Sequence, residues 1–232
     1  MSPARTRAVD DTSTVTRGDT STVTRGDTST VTRDISTFDR LARLYDLAMP
    51  PTRETPLVEG LARAERPVYR ALDLGGGTGR GASAIRPETV VVDAAPGMLR
   101  RARSKGHAAV AGDATRLPVA DDSVDAALVV DALHHMPDHP AVVAELSRVL
   151  RPGGVVVVRE FDPTTLRGRA LVAAERVWGF DSTFHAPAAL VDLLGAGGFE
   201  ATVLDGGFGY TVVGVAGNGS VAGNGRHKSG RA

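Results

Sequence analysis

Short apolar runs alternate with segments of helical periodicity through the middle of the chain. The runs that predict strands are Val68–Leu74, Thr89–Asp93, Ala108–Ala111, Ala126–Val130, Val155–Glu160, Ala201–Leu204 and Tyr210–Val215. The segments that predict helices are Met98–Lys105, Ala141–Leu150 and Pro187–Ala196. Strands that alternate with helices predict an α/β fold with a doubly wound, mostly parallel sheet. In such sheets ligands bind beyond the carboxyl ends of the strands, where the strand order reverses.

The two ends of the chain have a different composition from its middle. Residues 11–34 hold three copies of an octad, DTSTVTRG twice and then DTSTVTRD. Each copy has a single valine, which is too little apolar surface to offset the entropy of ordering. The segment after Gly217 is rich in glycine and polar residues. We therefore predict a disordered tail over residues 1–37, one folded domain over residues 38–216 and a flexible tail over residues 217–232.

Composition narrows the classes of function. The formal net charge is zero, so the total gives no support to a nucleic-acid or anionic-membrane partner. The chain has no cysteine, which excludes disulfides, cysteine-based metal sites and a cysteine nucleophile. It has no apolar run of about 18 residues and no apolar segment behind Arg5 and Arg7. We expect a cytoplasmic protein without a membrane span, and the oligomeric state stays open.

A glycine-rich loop follows the first predicted strand, in the stretch ALDLGGGTGR. A phosphate-binding P-loop needs a lysine after its last glycine, and here Arg80 and Gly81 follow. A dinucleotide fingerprint, G-x-G-x-x-G, fails at Arg80 or at Ala82, depending on where it starts. The spacing that is present is D-x-G-x-G-x-G, formed by Asp73, Gly75, Gly77 and Gly79.

This loop resembles the first motif of the class I S-adenosylmethionine-dependent methyltransferases, and further motifs follow in the family's order over residues 38–216. The resemblance implies a Rossmann-like fold of seven strands with a C-terminal antiparallel hairpin strand, and S-adenosylmethionine as cofactor. Asp93 would accept the ribose hydroxyls, Met98 would pack on the adenine, and Asp113 and the backbone of Ala114 would bind the adenine edge. The full set of expected cofactor-binding residues is Tyr45, Asp73, Gly75, Gly77, Gly79, Asp93, Met98, Asp113, Ala114 and Asp131. The segment between Gly79 and Asp93 is about one turn shorter than is usual, which predicts a short first helix.

Within the family, the chain looks most similar to the small-molecule branch that includes the ubiquinone and menaquinone biosynthesis methyltransferases. The methyl donor is already a strong electrophile, so the protein mainly supplies alignment, and a base is needed only for a protonated nucleophile. His134 and His135, just after the fourth strand, are the candidate catalytic bases, with an ordinary loop role as the alternative. Glu160 and His185 are the candidates that face the acceptor, in a region that also holds the aromatic residues Trp178, Phe180 and Phe184.

No metal site is expected from the sequence. His135 and His139 are four residues apart, but Pro137 and Pro140 prevent the helix that would align them. The basic cluster around Arg100 is interpreted as the solvated face of a helix, so no nucleic-acid partner is expected. The predicted function is methyl transfer to a small organic acceptor, such as a quinone-like hydroxyl or ring carbon. The alternatives are a non-catalytic protein that binds S-adenosylmethionine and a nicotinamide-dependent oxidoreductase.

Overall fold

The computed structural model describes residues 52–217, which fold around one seven-stranded sheet in the order β3-β2-β1-β4-β5-β7-β6. The strands are β1 (Arg70–Leu74), β2 (Glu88–Asp93), β3 (Ala108–Ala111), β4 (Val124–Val130), β5 (Leu150–Phe161), β6 (Phe199–Asp205) and β7 (Gly209–Ala216). Strands β1 to β5 pair in parallel, and β7 pairs antiparallel with both β5 and β6. The predicted doubly wound, mostly parallel sheet with an antiparallel hairpin at its C-terminal end is confirmed.

Helices connect the strands on both faces of the sheet. They are α1 (Glu54–Leu61), α2 (Arg80–Ser83), α3 (Pro96–Ser104), α4 (His139–Val149), α5 (Leu166–Trp178) and α6 (Pro187–Ala196), with a 3-10 turn over Leu133–His135. The first helix after the glycine loop, α2, has only four residues, as the short spacing predicted. Leu150, predicted to end a helix, instead begins β5, because Val149 closes α4 and Leu150 pairs with Val124 of β4.

Two helices lack the apolar periodicity that the sequence prediction used. In α1 the interruption is Pro56 and Gly60, and a Cβ on Gly60 would lie 2.7 Å from the side chain of Val157. In α5 the usual pattern is inverted, since Trp178 is 75% exposed while Glu175 is 8% exposed. A helix that buries its acid and exposes its tryptophan cannot be recognised from a hydrophobic stripe.

The core lies on both sides of the central strands β4 and β5. The four valines Val155 to Val158 are at most 1% exposed, as expected for a parallel strand with both faces covered. Helices α4 and α6 cover one face through Leu146 and Leu194, and α1 covers the other through Leu57. Strand order reverses between β1 and β4, so a crevice opens at their carboxyl ends.

The predicted tails, residues 1–37 and 217–232, lie outside the described residues except for Gly217, as do the start of the predicted domain and Tyr45. These boundaries therefore stay predictions. Within residues 52–217, every helix is too short or too polar to cross a membrane.

Candidate active site

A cavity of about 410 Å³ opens at the carboxyl ends of β1, β2 and β4, where the strand order reverses. Binding pockets for small molecules have volumes of roughly 300 to 1,000 Å³. Eight predicted site residues line this cavity: Gly75, Gly77, Asp93, Met98, Asp113, Ala114, Asp131 and His135. The predicted residues Asp73, Gly79, His134, Glu160 and His185 are placed behind or beside its walls.

Asp73 holds the glycine loop from beneath. Its side chain is fully buried, and its Oδ2 accepts a hydrogen bond of 2.8 Å from the backbone N–H of Ala82. A Cβ on Gly76 or Gly81 would lie 2.5 or 2.6 Å from this carboxyl group, so both glycines give it room. Burial, together with the charge of Asp93, raises the pKa of Asp73 to about 6. The motif spacing did not single out Gly76 or Gly81, and their only signal in the sequence is that they are glycines.

A small recess lies beside the buried side chain of Asp73. Oδ1 is buried and has no hydrogen-bond partner in the described part of the chain. The recess has a volume of about 20 Å³, and Asp73 lines it together with Gly75 and Gly77, which also line the main cavity. A space of that size holds one small polar group, such as a water molecule or an ammonium group. The recess, which Arg80 also lines, thus connects the neighbourhood of the Asp73 carboxyl group with the ligand cavity.

The glycine loop adopts backbone angles that few other residues tolerate. Gly75 has a φ of 65°, and a Cβ there would lie 2.7 Å from the methyl group of Met136 and 2.8 Å from Cβ of Ala132. Positive φ and the lack of space both require glycine at this position. The loop therefore brings its backbone against the turn that follows β4.

Asp93, at the end of β2, is fixed by two backbone donors. Its Oδ2 accepts from the N–H of Gly77 at 2.9 Å, and its Oδ1 accepts from the N–H of Ala95 at 2.8 Å. Each carboxylate oxygen has a second lone pair, so both can still accept from a ligand in the cavity. Burial raises the pKa of Asp93. This geometry fits a pair of neighbouring hydroxyl donors.

Two further acids complete the rim of the cavity. Asp113, after β3, accepts from the N–H and the hydroxyl of Thr115 with the same Oδ1, each at 2.8 Å. Asp131, after β4, has a φ of 50° and lies 3.7 Å from the guanidinium of Arg80. Burial and the nearby Glu160 raise the pKa of Asp131. A non-glycine residue in this left-handed conformation is uncommon and marks a sharply turned strand end.

Behind the turn after β4, His134 and Glu160 form a buried pair. The Nδ1 of His134 lies 2.7 Å from Oε2 of Glu160, and because a carboxylate only accepts, the ring donates. The other oxygen, Oε1, accepts from the N–H of Leu133 at 2.7 Å. Burial favours the neutral form of each group, but the attraction between the charged ring and the carboxylate outweighs it. It raises the pKa of His134 and lowers that of Glu160.

His135 presents its ring to the cavity, in contrast to its neighbour. Its Nδ1 lies 3.1 Å from the hydroxyl of Ser182, and its ring centroid lies 5.5 Å from that of Phe180. Burial, and the charge of His134, lower its pKa to about 3. The residues after α5 thus reach back to this turn, which local sequence patterns do not reveal.

In the region predicted to face the acceptor, the ring of Phe184 stacks on the ring of His134 at a centroid distance of 4.4 Å. Trp178 lies on the surface, 75% exposed, away from the cavity. Nε2 of His185 lies 2.6 Å from Nδ1 of His139, and the backbone carbonyl of His185 accepts from the hydroxyl of Tyr210 at 2.8 Å. His185 is therefore part of the wall behind the turn, and its role toward an acceptor stays a prediction.

The fold and the cavity are those expected of a methyltransferase, and several known proteins with a similar sequence or structure are methyltransferases. Residues 72–158 match the family model described as a methyltransferase domain. Over this part of the fold the chain is similar to the class I S-adenosylmethionine-dependent methyltransferases, whose methyl donor is S-adenosylmethionine. An S-adenosylmethionine-dependent methyltransferase from Thermotoga maritima superimposes with a TM-score of 0.65 at 25% identity, over 78% of this chain and 98% of that one.

Two curated relatives are more similar in sequence than the Thermotoga maritima protein is. A demethylmenaquinone methyltransferase of Mycobacterium sp. (strain KMS) is 38% identical over 152 residues, which cover 60% of this chain and 64% of that protein. A malonyl-[acyl-carrier protein] O-methyltransferase of Xylella fastidiosa (strain M23) is 36% identical over 142 residues, 56% of this chain and 48% of that protein. The chain therefore spans less than two thirds of the length of either relative.

Proposed function

We propose that this protein transfers a methyl group from S-adenosylmethionine to a small organic acceptor and releases S-adenosylhomocysteine. The observation that carries the proposal is the meeting, in one cavity, of the glycine loop with Asp93 and Asp113 at three neighbouring strand ends. Each part suits one part of the donor. Asp93 suits the ribose hydroxyls, and the recess beside Asp73 suits the ammonium group.

In this reaction a lone pair or a carbanion-like carbon of the acceptor attacks the methyl carbon of the sulfonium. The bond between that carbon and sulfur breaks, and sulfur keeps the electron pair as a neutral thioether. An acceptor that starts protonated also loses a proton. The protein contributes chiefly by aligning the two reactants and excluding water from the cavity. Apolar side chains of Leu74, Val92 and Met136 in the cavity wall serve that purpose.

We further propose a quinone-like hydroxyl or ring carbon as the acceptor. Ala132, Met136 and Pro137 form an apolar end of the cavity, and His135 is the histidine beside them. A planar apolar ring with one polar substituent suits that surface. The similarity to a demethylmenaquinone methyltransferase supports the same class of acceptor.

His135 is the residue that we propose to contact the acceptor. With a pKa of about 3 its ring is neutral at pH 7, so it can orient an acceptor hydroxyl by a hydrogen bond. The proton of the acceptor hydroxyl passes to water, because a ring with so low a pKa does not hold a proton at pH 7. His134 and Glu160 then act as positioning residues, since they fix the turn on which His135 stands.

An assay with a panel of hydroquinones and other small phenols tests the proposal. Mass spectrometry should detect the methylated acceptor and S-adenosylhomocysteine in equal amounts. His135→Gln should lower kcat by about 100-fold, in line with loss of a group that orients the acceptor. Glu200→Gln, on the exposed edge of β6 and outside this cavity, serves as the control. Cofactor binding without turnover of any acceptor would instead favour the non-catalytic binding protein.

A further inference from the structure

A cluster of three potential metal ligands lies beside the acceptor end of the cavity. His134, His135 and Glu175 each offer one ligand atom, and these atoms all lie within 4.8 Å of one another. His134 and His135 come from the 3-10 turn after β4, and Glu175 comes from the last turn of α5. Three separate observations indicate that the cluster is built to bind a cation.

The first observation is the orientation of His134. Its Nδ1 donates to Glu160, which fixes the tautomer and directs Nε2 toward Glu175, with Oε1 at 3.8 Å. A carboxylate that holds one nitrogen of a histidine while the other nitrogen binds a metal is the common arrangement around protein-bound metal ions. Glu160 therefore stands where such a supporting carboxylate is needed.

The second observation is the state of Glu175. The residue is 8% exposed, and its Oε2 is buried without a hydrogen-bond partner in the described part of the chain. A buried carboxylate without partners is costly unless a cation compensates it. The distance of 3.8 Å from His134 is too long for a hydrogen bond, so a simple ion pair with that ring leaves the acid poorly satisfied.

The third observation is the support of His135 by Ser182. The hydroxyl lies 3.1 Å from Nδ1 of His135, so both histidines of the cluster have a polar side chain at Nδ1. Zinc bonds of about 2.0 to 2.2 Å place tetrahedral ligand atoms roughly 3.4 Å apart. The 3.8 Å between Nε2 of His134 and Oε1 of Glu175 approaches that spacing, and all three ligand atoms lie within 4.8 Å of one another, so metal binding would draw them closer together.

We propose that His134, His135 and Glu175 bind a divalent transition-metal ion. Two imidazoles and one carboxylate suit Zn²⁺ and its neighbours, whereas Mg²⁺ and Ca²⁺ prefer oxygen ligands alone. Three protein ligands leave a fourth position for water or an acceptor oxygen, as in catalytic zinc sites. His135 lines the cavity, so the ion borders the space assigned to the acceptor. With the ion bound, His135 is its ligand, and the open position on the ion takes over from the ring in orienting an acceptor oxygen. Binding of the ion does not depend on methyl transfer.

Metal titration of the untagged full chain tests this site directly. After treatment with a chelator and dialysis, the wild type should bind one equivalent of Zn²⁺ in competition with a chromogenic chelator. Co²⁺ in its place should give the visible absorption of a low-symmetry site. Glu160→Gln should weaken Zn²⁺ binding by about 10- to 100-fold, and Glu175→Gln by at least as much. Glu200→Gln on the exposed edge of β6 and His107→Gln should bind as the wild type does.

Thermal unfolding provides the second readout. Zn²⁺ should raise the Tm of the wild type, because an ion that binds only the folded state stabilises it by mass action. It should leave the Tm of Glu175→Gln unchanged. Should Glu175→Gln fail to fold, His135→Gln on the half-exposed wall of the cavity replaces it in both measurements. A wild type that binds Zn²⁺ no more tightly than Glu175→Gln or His135→Gln would overturn the proposal. The cluster would then be a protonated His134 between Glu160 and Glu175. Cofactor titration in the presence of chelator tests the proposed function separately.

Discussion

The cavity has a cofactor half, at the ends of β1 to β3, and an acceptor half, at the turn after β4, and the two halves are built in different ways. In the cofactor half, the groups that shape the site are close in sequence, as with Asp73 and Ala82 or Asp93 and Gly77, 9 and 16 residues apart. In the acceptor half, the contacts join distant segments, as with Glu160 and His134 or Ser182 and His135, 26 and 47 residues apart. The first half is a property of one loop and its strand ends, and the second is a property of the assembled fold.

Because of this difference, the two halves should be sensitive to different kinds of substitution. The cofactor half relies on backbone angles and on small residues that make room for Asp73, so added side-chain volume should damage it. The acceptor half relies on buried charge around Glu160, so the loss of one partner should damage it. Four substitutions or titrations test that distinction.

The largest effect is expected from Glu160→Ala. The substitution removes the acceptor for three backbone N–H groups and leaves the ring of His134 unpaired in the core. Breaking a buried pair by removing one partner typically costs about 3 to 5 kcal/mol. Urea unfolding should show a loss of that order, whereas the exposed Glu200→Ala should change stability by less than about 0.5 kcal/mol. A loss below about 1 kcal/mol for Glu160→Ala would mean that the acceptor half does not depend on this charge.

A smaller loss of stability, with a loss of cofactor binding, is expected from Gly75→Ala. The new Cβ would meet Met136 and Ala132 while the backbone keeps a positive φ, at a combined cost of about 2 to 4 kcal/mol. Gly106→Ala is the matched control, because Gly106 also has a positive φ but nothing lies within 4 Å of its Cβ. Calorimetry should show weaker S-adenosylmethionine binding for Gly75→Ala alone. Equal effects of the two variants would show that strain, and not space, governs the loop.

The pH dependence of cofactor binding should reveal Asp73. A cationic ammonium group favours the ionised acid, so affinity should increase as the pH rises through the pKa of Asp73, about 6. If only the ionised form binds, the apparent affinity rises about tenfold between pH 5 and 7. Asp73→Asn should reduce this rise, and the part that remains reports Asp93 and Asp131, whose pKa values are also raised by burial. A wild-type profile that rises no more than that of Asp73→Asn would remove Asp73 from any contact with the cofactor.

The smallest effect is expected from Ser182→Ala. A single neutral hydrogen bond to His135 is lost, which should lower stability by about 0.5 to 1.5 kcal/mol. The Kd for S-adenosylmethionine should not change, since Ser182 lies in the acceptor half. Ser104→Ala, which removes an exposed hydroxyl, is the control. A change in cofactor affinity for Ser182→Ala would show that the two halves are coupled.

The same difference explains which features the sequence predicted. The apolar runs of β1 to β5 and the spacing from Asp73 to Gly79 are local, and they predicted the sheet and the cofactor end of the cavity. Glu175 could not be found in this way, since it is a lone acid in a helix that exposes large apolar residues such as Leu166, Val177 and Trp178. Leu150 was assigned to the wrong element because a helix and a buried strand meet there without a polar break.

The positions of the histidines needed the folded chain for a related reason. Adjacent residues of a turn point in different directions, so His134 enters the core and His135 faces the cavity. The sequence presents them as an equivalent pair. Glu160 was likewise predicted to face the acceptor, but its hydrogen-bond partners are the backbone N–H of Leu133 and the ring of His134, in the turn after β4.

The central claim is that the cavity binds S-adenosylmethionine through Asp93. Calorimetric titration of wild type, Asp93→Asn and Asp192→Asn with S-adenosylmethionine and S-adenosylhomocysteine tests it most directly. Loss of a charged hydrogen-bond acceptor should cost about 1.5 to 3 kcal/mol, so Asp93→Asn should bind both ligands about 10- to 150-fold more weakly. Asp192→Asn, on the exposed side of α6, should bind as the wild type does. A folded wild type that binds neither ligand, or an Asp93→Asn variant that binds as tightly as the wild type, would contradict the claim.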